Sequence, residues 1–174
     1  EKIGWPVVLK VDSESVVHKS DRGGVALDLR DEAALKEAFA RMSAAFSKEK
    51  PRYLVAKQAE KGVEVILGAK REGALGHVVV FGLGGIFVEL LGDAAFGLAP
   101  LSQSRARAML GRIKGRKLLE GARGAKPVDQ ALLADALCRL GRLVADNPQI
   151  KELDLNPVFA YAEGGKPFAV DVRV

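Results

Sequence analysis

Residues 6–25, PVVLKVDSESVVHKSDRGGV, decide how the chain is read. Val7, Leu9 and Val11 alternate with Val8 and Lys10 in a β-branched run, the period of a buried strand. Lys10 interrupts it. An ammonium inside an apolar strand either reaches water or meets an anion, because burying it unpaired is costly. A polar connection follows with His18, Lys19, Ser20, Asp21 and Arg22, and the Gly23-Gly24 step leads into a second strand. Two adjacent glycines let backbone N–H groups approach a phosphate closely. Lysines, an arginine, a histidine and bare backbone in one short segment make the chemistry of a phosphate site. On residue type alone, His18 reads first as a loop histidine making a hydrogen bond.

Outward from this stretch, residues 25–29 form the second strand, and Asp31 caps a helix with Leu35, Ala38, Phe39, Met42, Ala45 and Phe46 on one face. Residues 53–56 resume as a strand. The break over 57–62 is expected to be a hinge, giving a first lobe at 1–56 and a second at 57–174. Residues 63–71 place Val63, Val65, Leu67 and Ala69 on one face and Glu64, Ile66, Gly68 and Lys70 on the other. That second face reads as a ligand wall or as an exposed face with cross-strand pairs. After a turn at 73–76 the chain returns over 77–81, with His77 at a strand edge and expected to be incidental.

Gly82-Leu83-Gly84-Gly85-Ile86-Phe87 is not a dinucleotide fingerprint, since Phe87 stands where the third glycine belongs, and no Gly-Lys-Ser/Thr follows. It is a glycine loop leading to Glu89, placed beside a cleft. Ser102 caps a short helix running to Ile113. A longer helix starts at Pro127 and Asp129, buries Leu133, Leu137, Leu140 and Val144, and stops at Asn147-Pro148.

The C-terminal segment carries the second informative cluster. Glu152, Asp154 and Asn156 share one face of a strand, opposite Leu153 and Leu155. Acids gathered there repel one another unless a cation or an arginine meets them. With Gly164-Gly165 as a two-residue turn, Phe168, Val170, Val172 and Val174 alternate on the return strand, and Asp171 pairs with Val158, diagonal to Asn156. Diagonal neighbours lie roughly 7–8 Å apart, a span an oxygen-ligated cation bridges. Asn156 and Asp171 are thus the expected magnesium ligands. The alternative is that Asp171 pairs with Arg173 or Lys151.

Bulk properties narrow the field. At 174 residues, 48% hydrophobic and 28% charged, the chain suits one globular domain or two small lobes. No apolar run approaches the ~18 residues of a membrane span. The start has no Met and no signal-peptide core, and is expected to be a cut within a longer, cytoplasmic protein. One cysteine, Cys138, and two histidines exclude a zinc site, leaving oxygen-bound magnesium. Of the +5 net charge, much lies between Arg105 and Lys126, where eight basic residues face only Glu120. No aromatics interleave with them, so the run reads as a solvated or docking face before a nucleic-acid one.

Three separated pieces, PVVLK with HKSDRGGV, GVEVILGAKRE with FGLGGIFVELL, and ELDLNP with AVDVRV, resemble the ATP-grasp domain of the acyl-CoA synthetases (NDP-forming), the acetate–CoA ligase (ADP-forming) family. More distantly they resemble the nucleotide-binding subunit of succinyl-CoA synthetase. The resemblance covers nearly the whole chain. It implies an α+β ATP-grasp fold, two lobes clasping Mg-ATP, and the reaction acyl-CoA + ADP + phosphate ⇌ acid + CoA + ATP through phosphohistidine. It assigns Lys10 to the nucleotide phosphates, Gly23 and Gly24 to the loop folding over them, Glu64 to an ATP contact, and Asn156 and Asp171 to magnesium. His18 corresponds to the histidine that relays phosphoryl, with Lys19 and Arg22 beside it to neutralise charge.

Two departures stand out. The hinge motif, often V-Q-E-M, reads Val55-Ala56-Lys57-Gln58, with lysine at the usual acidic position. The family's preceding helical segment and its CoA-binding phosphohistidine part, through which CoA and the small carboxylic acid enter, are outside this chain. By itself it is expected to bind ATP or ADP without making acyl-CoA. The alternatives are a catalytically silent ATP-grasp module, as in bacterial protein acetyltransferases, and a basic RNA-binding domain.

Overall fold

The computed structural model describes residues 3–13, 22–49, 51–84 and 92–174, except the side chain of Arg123. The chain divides into two compact units, Glu1–Glu60 and Lys61–Val174.

The first unit is a three-stranded antiparallel sheet in the order β2-β1-β3, formed by β1 (Val7–Asp12), β2 (Val25–Leu29) and β3 (Arg52–Lys57), with helix α1 (Glu32–Ala45) on one face. Val7, Leu9 and Val11 pack with Ala26, Leu29, Ala38, Met42 and Phe46 into its core. Asp31 starts α1 as expected, its side chain accepting a 2.8 Å bond from Ala34 N. The apolar face of α1 is narrower than the spacing predicts. Ala45 is exposed, and Phe39, 47% exposed, meets Tyr53 edge to face at 4.9 Å, because a three-stranded sheet covers only a narrow stripe of the helix.

The second unit holds a six-stranded sheet in which β6 (Ala94–Leu98), β5 (His77–Leu83), β4 (Val63–Arg71) and β7 (Glu152–Ala160) follow in that order. Both β8 (Phe168–Ala169) and β9 (Val172–Arg173) pair with β7. Helices α2 (Gln103–Arg112) and α3 (Gln130–Asp146) cover one face. Val65, Leu67 and Ala69 of β4 point into that core, where Leu133, Leu137, Leu140 and Val144 meet them from α3, the faces the periodicity predicts. Strand β6 has no counterpart in the sequence reading.

His77 is not incidental. It is 5% exposed, and its Nε2 lies 2.7 Å from Ile150 O, joining the start of β5 to the segment that enters β7.

The C-terminal register also differs from the expectation. Gly165 N donates to Ala162 O at 2.9 Å, a four-residue turn, and Gly164 N donates to Asp129 Oδ2 at 3.2 Å. With Val128 bridging Ala162, these contacts hold open a loop wider than a two-residue hairpin. Val158 therefore pairs with Ala169, and Asp171 moves two residues, to stand across from Asn156. The return segment is two short strands, with Phe168, Val172 and Val174 at 52%, 54% and 84% exposure.

Two carboxylates act as fasteners here. Asp93, 5% exposed, accepts from Lys114 N at 2.6 Å and Gly115 N at 2.7 Å. Replacing it, Asp93→Ala, orphans two N–H groups and is expected to lower stability by about 2–4 kcal/mol in urea denaturation. Asp129 caps α3, and hydrogen bonds from the backbone N–H of Leu132, then Gly164 and Ala131, hold its carboxyl below the usual carboxylate range. A depressed folded pKa gives stability that is present above the unfolded pKa and lost as pH falls through the folded one. Asp129→Ala is therefore expected to be less stable than wild type at pH 7, with the gap closing below about pH 4 in pH-dependent melts.

Candidate functional site

The candidate residues fall in both units, and each unit presents its own share. His18, Lys19 and Glu89 lie outside the described residues.

In the first unit Leu9 and Val11 turn toward α1, so strand alternation sends Lys10 to the other face of the sheet. There it stands between Leu54 of β3 and Val25 of β2, its ladder partners, and is partly buried. Val11 N donates to Gly24 O at 2.8 Å, which brings the glycine step beside Lys10. Gly23 has φ +72° and open space where a Cβ would stand, so its backbone is bare. Lys10, on the central strand, and the Gly23-Gly24 step that leads into β2 are thus gathered at one end of the sheet. Arg22 turns elsewhere. Its guanidinium lies 2.6 Å from Glu49 and 5.0 Å from the centre of the Phe46 ring, and that hydrogen bond is the main cause of the lowered pKa of Glu49.

In the second unit the site lies on the sheet face away from the helices. Glu64, Ile66, Gly68 and Lys70 run along β4 on this face. Glu64 is exposed, and Gly84 N closes on its backbone oxygen at 2.7 Å. Gly68 pairs with Val80 on one side and Asp154 on the other. A Cβ there would sit 2.9 Å from Val80 Cγ1, so only glycine fits, and its missing side chain leaves a groove of 260 Å³ lined by Lys70, Val80, Phe96, Glu152 and Asp154. An apolar wall thus faces a carboxylate wall.

Asn156 sits where β7 departs from regular pairing. Val65 pairs with Val158 and Leu67 with Leu155, so Ile66 alone opposes both Asn156 and Pro157. This β-bulge turns the strand and re-aims the Asn156 side chain. Asn156 N donates to Asp171 O at 3.2 Å, and Val170 N to Pro157 O at 2.9 Å, which fixes Asp171 directly across from Asn156. Directly opposed residues are closer than the diagonal pair the sequence predicts, and on the same face. Asp171 makes no ion pair with Arg173 or Lys151 among the described residues.

Asp154, placed by the sequence in the acidic cluster but not among the expected ligands, is half-buried. Burial pushes its carboxyl above the usual range, Arg173 opposes this, and the negative charges of Glu152 and Asp171 add to it. The alternation in ELDLN already put Asp154 on the face of Asn156. What could not be read was its depth, set by Arg173 across the ladder and the Gly68 notch beside it. Glu152, Asp154 and Asp171 stand here with Arg173 and Lys70 between them, a mixed cluster with one acid in excess. Asn156 and Asp171 offer hard oxygen donors, the set magnesium takes when substrate phosphates and water complete its shell.

Known proteins resemble the chain over its whole length. An ATP-grasp domain matches residues 1–174. The chain is 40% identical over 178 residues to the Pyrococcus furiosus acetate–CoA ligase [ADP-forming] I subunit beta, covering 99% of this chain and 76% of that subunit. It is 41% identical over 179 residues to the 4-hydroxybutyrate–CoA ligase [ADP-forming] of Nitrosopumilus maritimus, of which it spans 26%. Among solved structures, the dinucleotide-forming acetyl-coenzyme A synthetase 1 of Ca. Korarchaeum cryptofilum, with coenzyme A and Ca-AMPCP, superposes with TM-score 0.92 at 44% identity, covering 98% of this chain and 76% of that one. A second structure of that synthetase holds Mg-AMPPCP, with TM-score 0.85 at 45% identity, covering 99% of this chain and 76% of that one. These relatives lend no support to a silent regulatory module. The chain belongs to the ATP-grasp domain of the ADP-forming acetate–CoA ligase family.

Proposed function

We propose that this chain is the Mg-nucleotide-binding part of an ADP-forming acyl-CoA ligase and passes phosphoryl between ATP and a histidine, His18. The observation that carries the reading is the Asn156–Asp171 pair, two oxygen-bearing side chains opposed at a bulge beside the acidic end of the sheet. The resemblance of the flanking motifs, and a relative whose structure holds Mg-AMPPCP, support magnesium and nucleotide as the occupants. Coenzyme A and the carboxylic acid would be handled by a CoA-binding, phosphohistidine-bearing part outside this chain. That fits relatives that are subunits or single proteins about four times its length.

Phosphoryl transfer needs positioning and charge neutralisation more than covalent help. Lys10, held on the sheet beside the glycine step, would take the nucleotide phosphates, with backbone N–H groups of Gly23 and Gly24 closing over them. Asn156 and Asp171 would hold magnesium, which neutralises phosphate charge when bound. Glu64 would contact the nucleotide from β4. The neutral imidazole of His18 would attack the γ-phosphorus, forming an N–P bond as the bond to the ADP oxygen breaks. Lys19 would offset charge on the group in transit. Arg22, engaged with Glu49, reaches that group only by leaving its partner.

Incubating the full-length protein with Mg-ATP labelled on the γ-phosphate is expected to give acid-labile, alkali-stable label on wild type and none on His18→Asn. Equal label on the variant would remove His18 from its role. Asp171→Ala is expected to weaken magnesium-dependent nucleotide binding by about tenfold or more in calorimetry, as expected for a lost charged contact. An unchanged affinity would place the metal elsewhere.

A further inference from the structure

We infer that residues 105–126 form a preorganised basic surface that docks an acidic face on the part of the enzyme outside this chain. The inference rests on the reading of this chain as one part of a larger ligase. Eight basic residues and Glu120 give this segment a net charge of +7 against +5 for the whole chain, so all other residues together are net −2. The positive charge is therefore concentrated in one stretch of the second unit.

The structure shows how this surface is built. Ala106, Met109 and Leu110 turn α2 toward the core, leaving Arg105, Arg107 and Arg112 exposed. Lys114, Arg116 and Lys117 follow on a short 3-10 turn (Lys114–Leu118), also exposed. Ile113 and Leu119, 2% and 1% exposed, anchor the two ends of that turn. The Asp93 carboxylate clamps its first two N–H groups, and Val128 N donates to Leu119 O at 2.9 Å. A like-charged run of this kind in a solvated tail is usually disordered; here the backbone is pinned.

Neighbouring α3 shows what an ordinary solvated helix of this chain does. Arg139 meets Asp135 and Arg142 meets Asp146, each at 2.7 Å and one turn apart. Around α2, among the described basic residues of 105–126, only Arg116 has an acidic partner, Glu120 at 3.7 Å, an exposed pair of little strength. Like charges held together without counter-charges repel, and an anionic partner relieves that repulsion.

The occupant follows from chemistry and from chain length. Residues 105–126 contain no aromatic side chain, so single-stranded nucleic acid finds nothing to stack on. The relatives carry a quarter to three quarters of their length beyond the matched region, so the ligase reading supplies a large partner surface in constant proximity. A rigid positive patch facing a negative one fixes orientation and speeds encounter.

The test compares the full-length protein, with any partner subunit, at low salt and at about 0.5 M salt, where exposed charges are screened within a few ångströms. An amine-reactive label read by mass spectrometry is expected to modify Lys114, Lys117 and Lys126 several-fold more slowly at low salt, while Lys166, exposed and without an ion pair among the described residues, keeps its rate. Arg107→Glu/Arg112→Glu should release that protection, and Arg107→Gln/Arg112→Gln should release part of it. If the three lysines change with salt no more than Lys166 does, or the charge-reversed protein stays protected, the inference falls. It falls equally if nuclease treatment of the wild type abolishes the protection, which would identify a nucleic acid as the occupant. Mg-nucleotide affinity measured on the same samples reports separately on the functional reading, since none of the altered residues belongs to that site.

Discussion

Strand β4 serves two environments at once, and the second unit depends on its doing so. Its two-residue period sends Val65, Leu67 and Ala69 into a core shared with α3, and Glu64, Gly68 and Lys70 to the opposite face. Because β5 and β7 flank it, its backbone hydrogen bonds are taken up on both edges. Any slip would exchange buried valine and leucine for glutamate and lysine, a cost that locks the register. The candidate site inherits that lock: Asp154 stands beside Gly68, and Asn156 beside Ile66, because β4 cannot move.

Elements set by their own periodicity were legible in the sequence. Strand β4 and helix α3 came out with the faces read from spacing, because a long apolar stripe has few ways to be buried. What failed was set at a distance. The Gly164-Gly165 pair looks like a tight hairpin, yet the Asp129 side chain, 35 residues earlier, holds Gly164 in a wider loop. His77 is buried because a carbonyl 73 residues away takes up its ring nitrogen. Strand β6, AAFGL, is short and has no β-branched residue, so it is a strand only because β5 offers it an edge.

The candidate site was legible unevenly for the same reason. Lys10 announces itself as a charge in an apolar run, and Gly23-Gly24 as bare backbone, so both are visible locally. The relation of Asn156 to Asp171 was visible only in outline, since their separation depends on the loop the turn chemistry misjudged. Asp154 was hidden because burial is a property of packing, and the partner that tempers its charge, Arg173, lies on the other side of that loop.

The bulge at Asn156-Pro157 has one more consequence. Leu153 and Leu155 face the core before it, Val158 and Ala160 after it, so the extra residue reconciles two stretches of opposite phase. The strand is a spacer as much as a row of side chains. Losing one residue there would restore plain alternation and leave Val158 and Ala160 on the core side in step with Leu155, so the core alone would tolerate a shorter strand. It is the candidate site that fixes the number of residues between 152 and 160, because the deletion removes a ligand position and shifts Asn156 against the loop whose contacts at Ala162, Gly164 and Gly165 set where Asp171 falls.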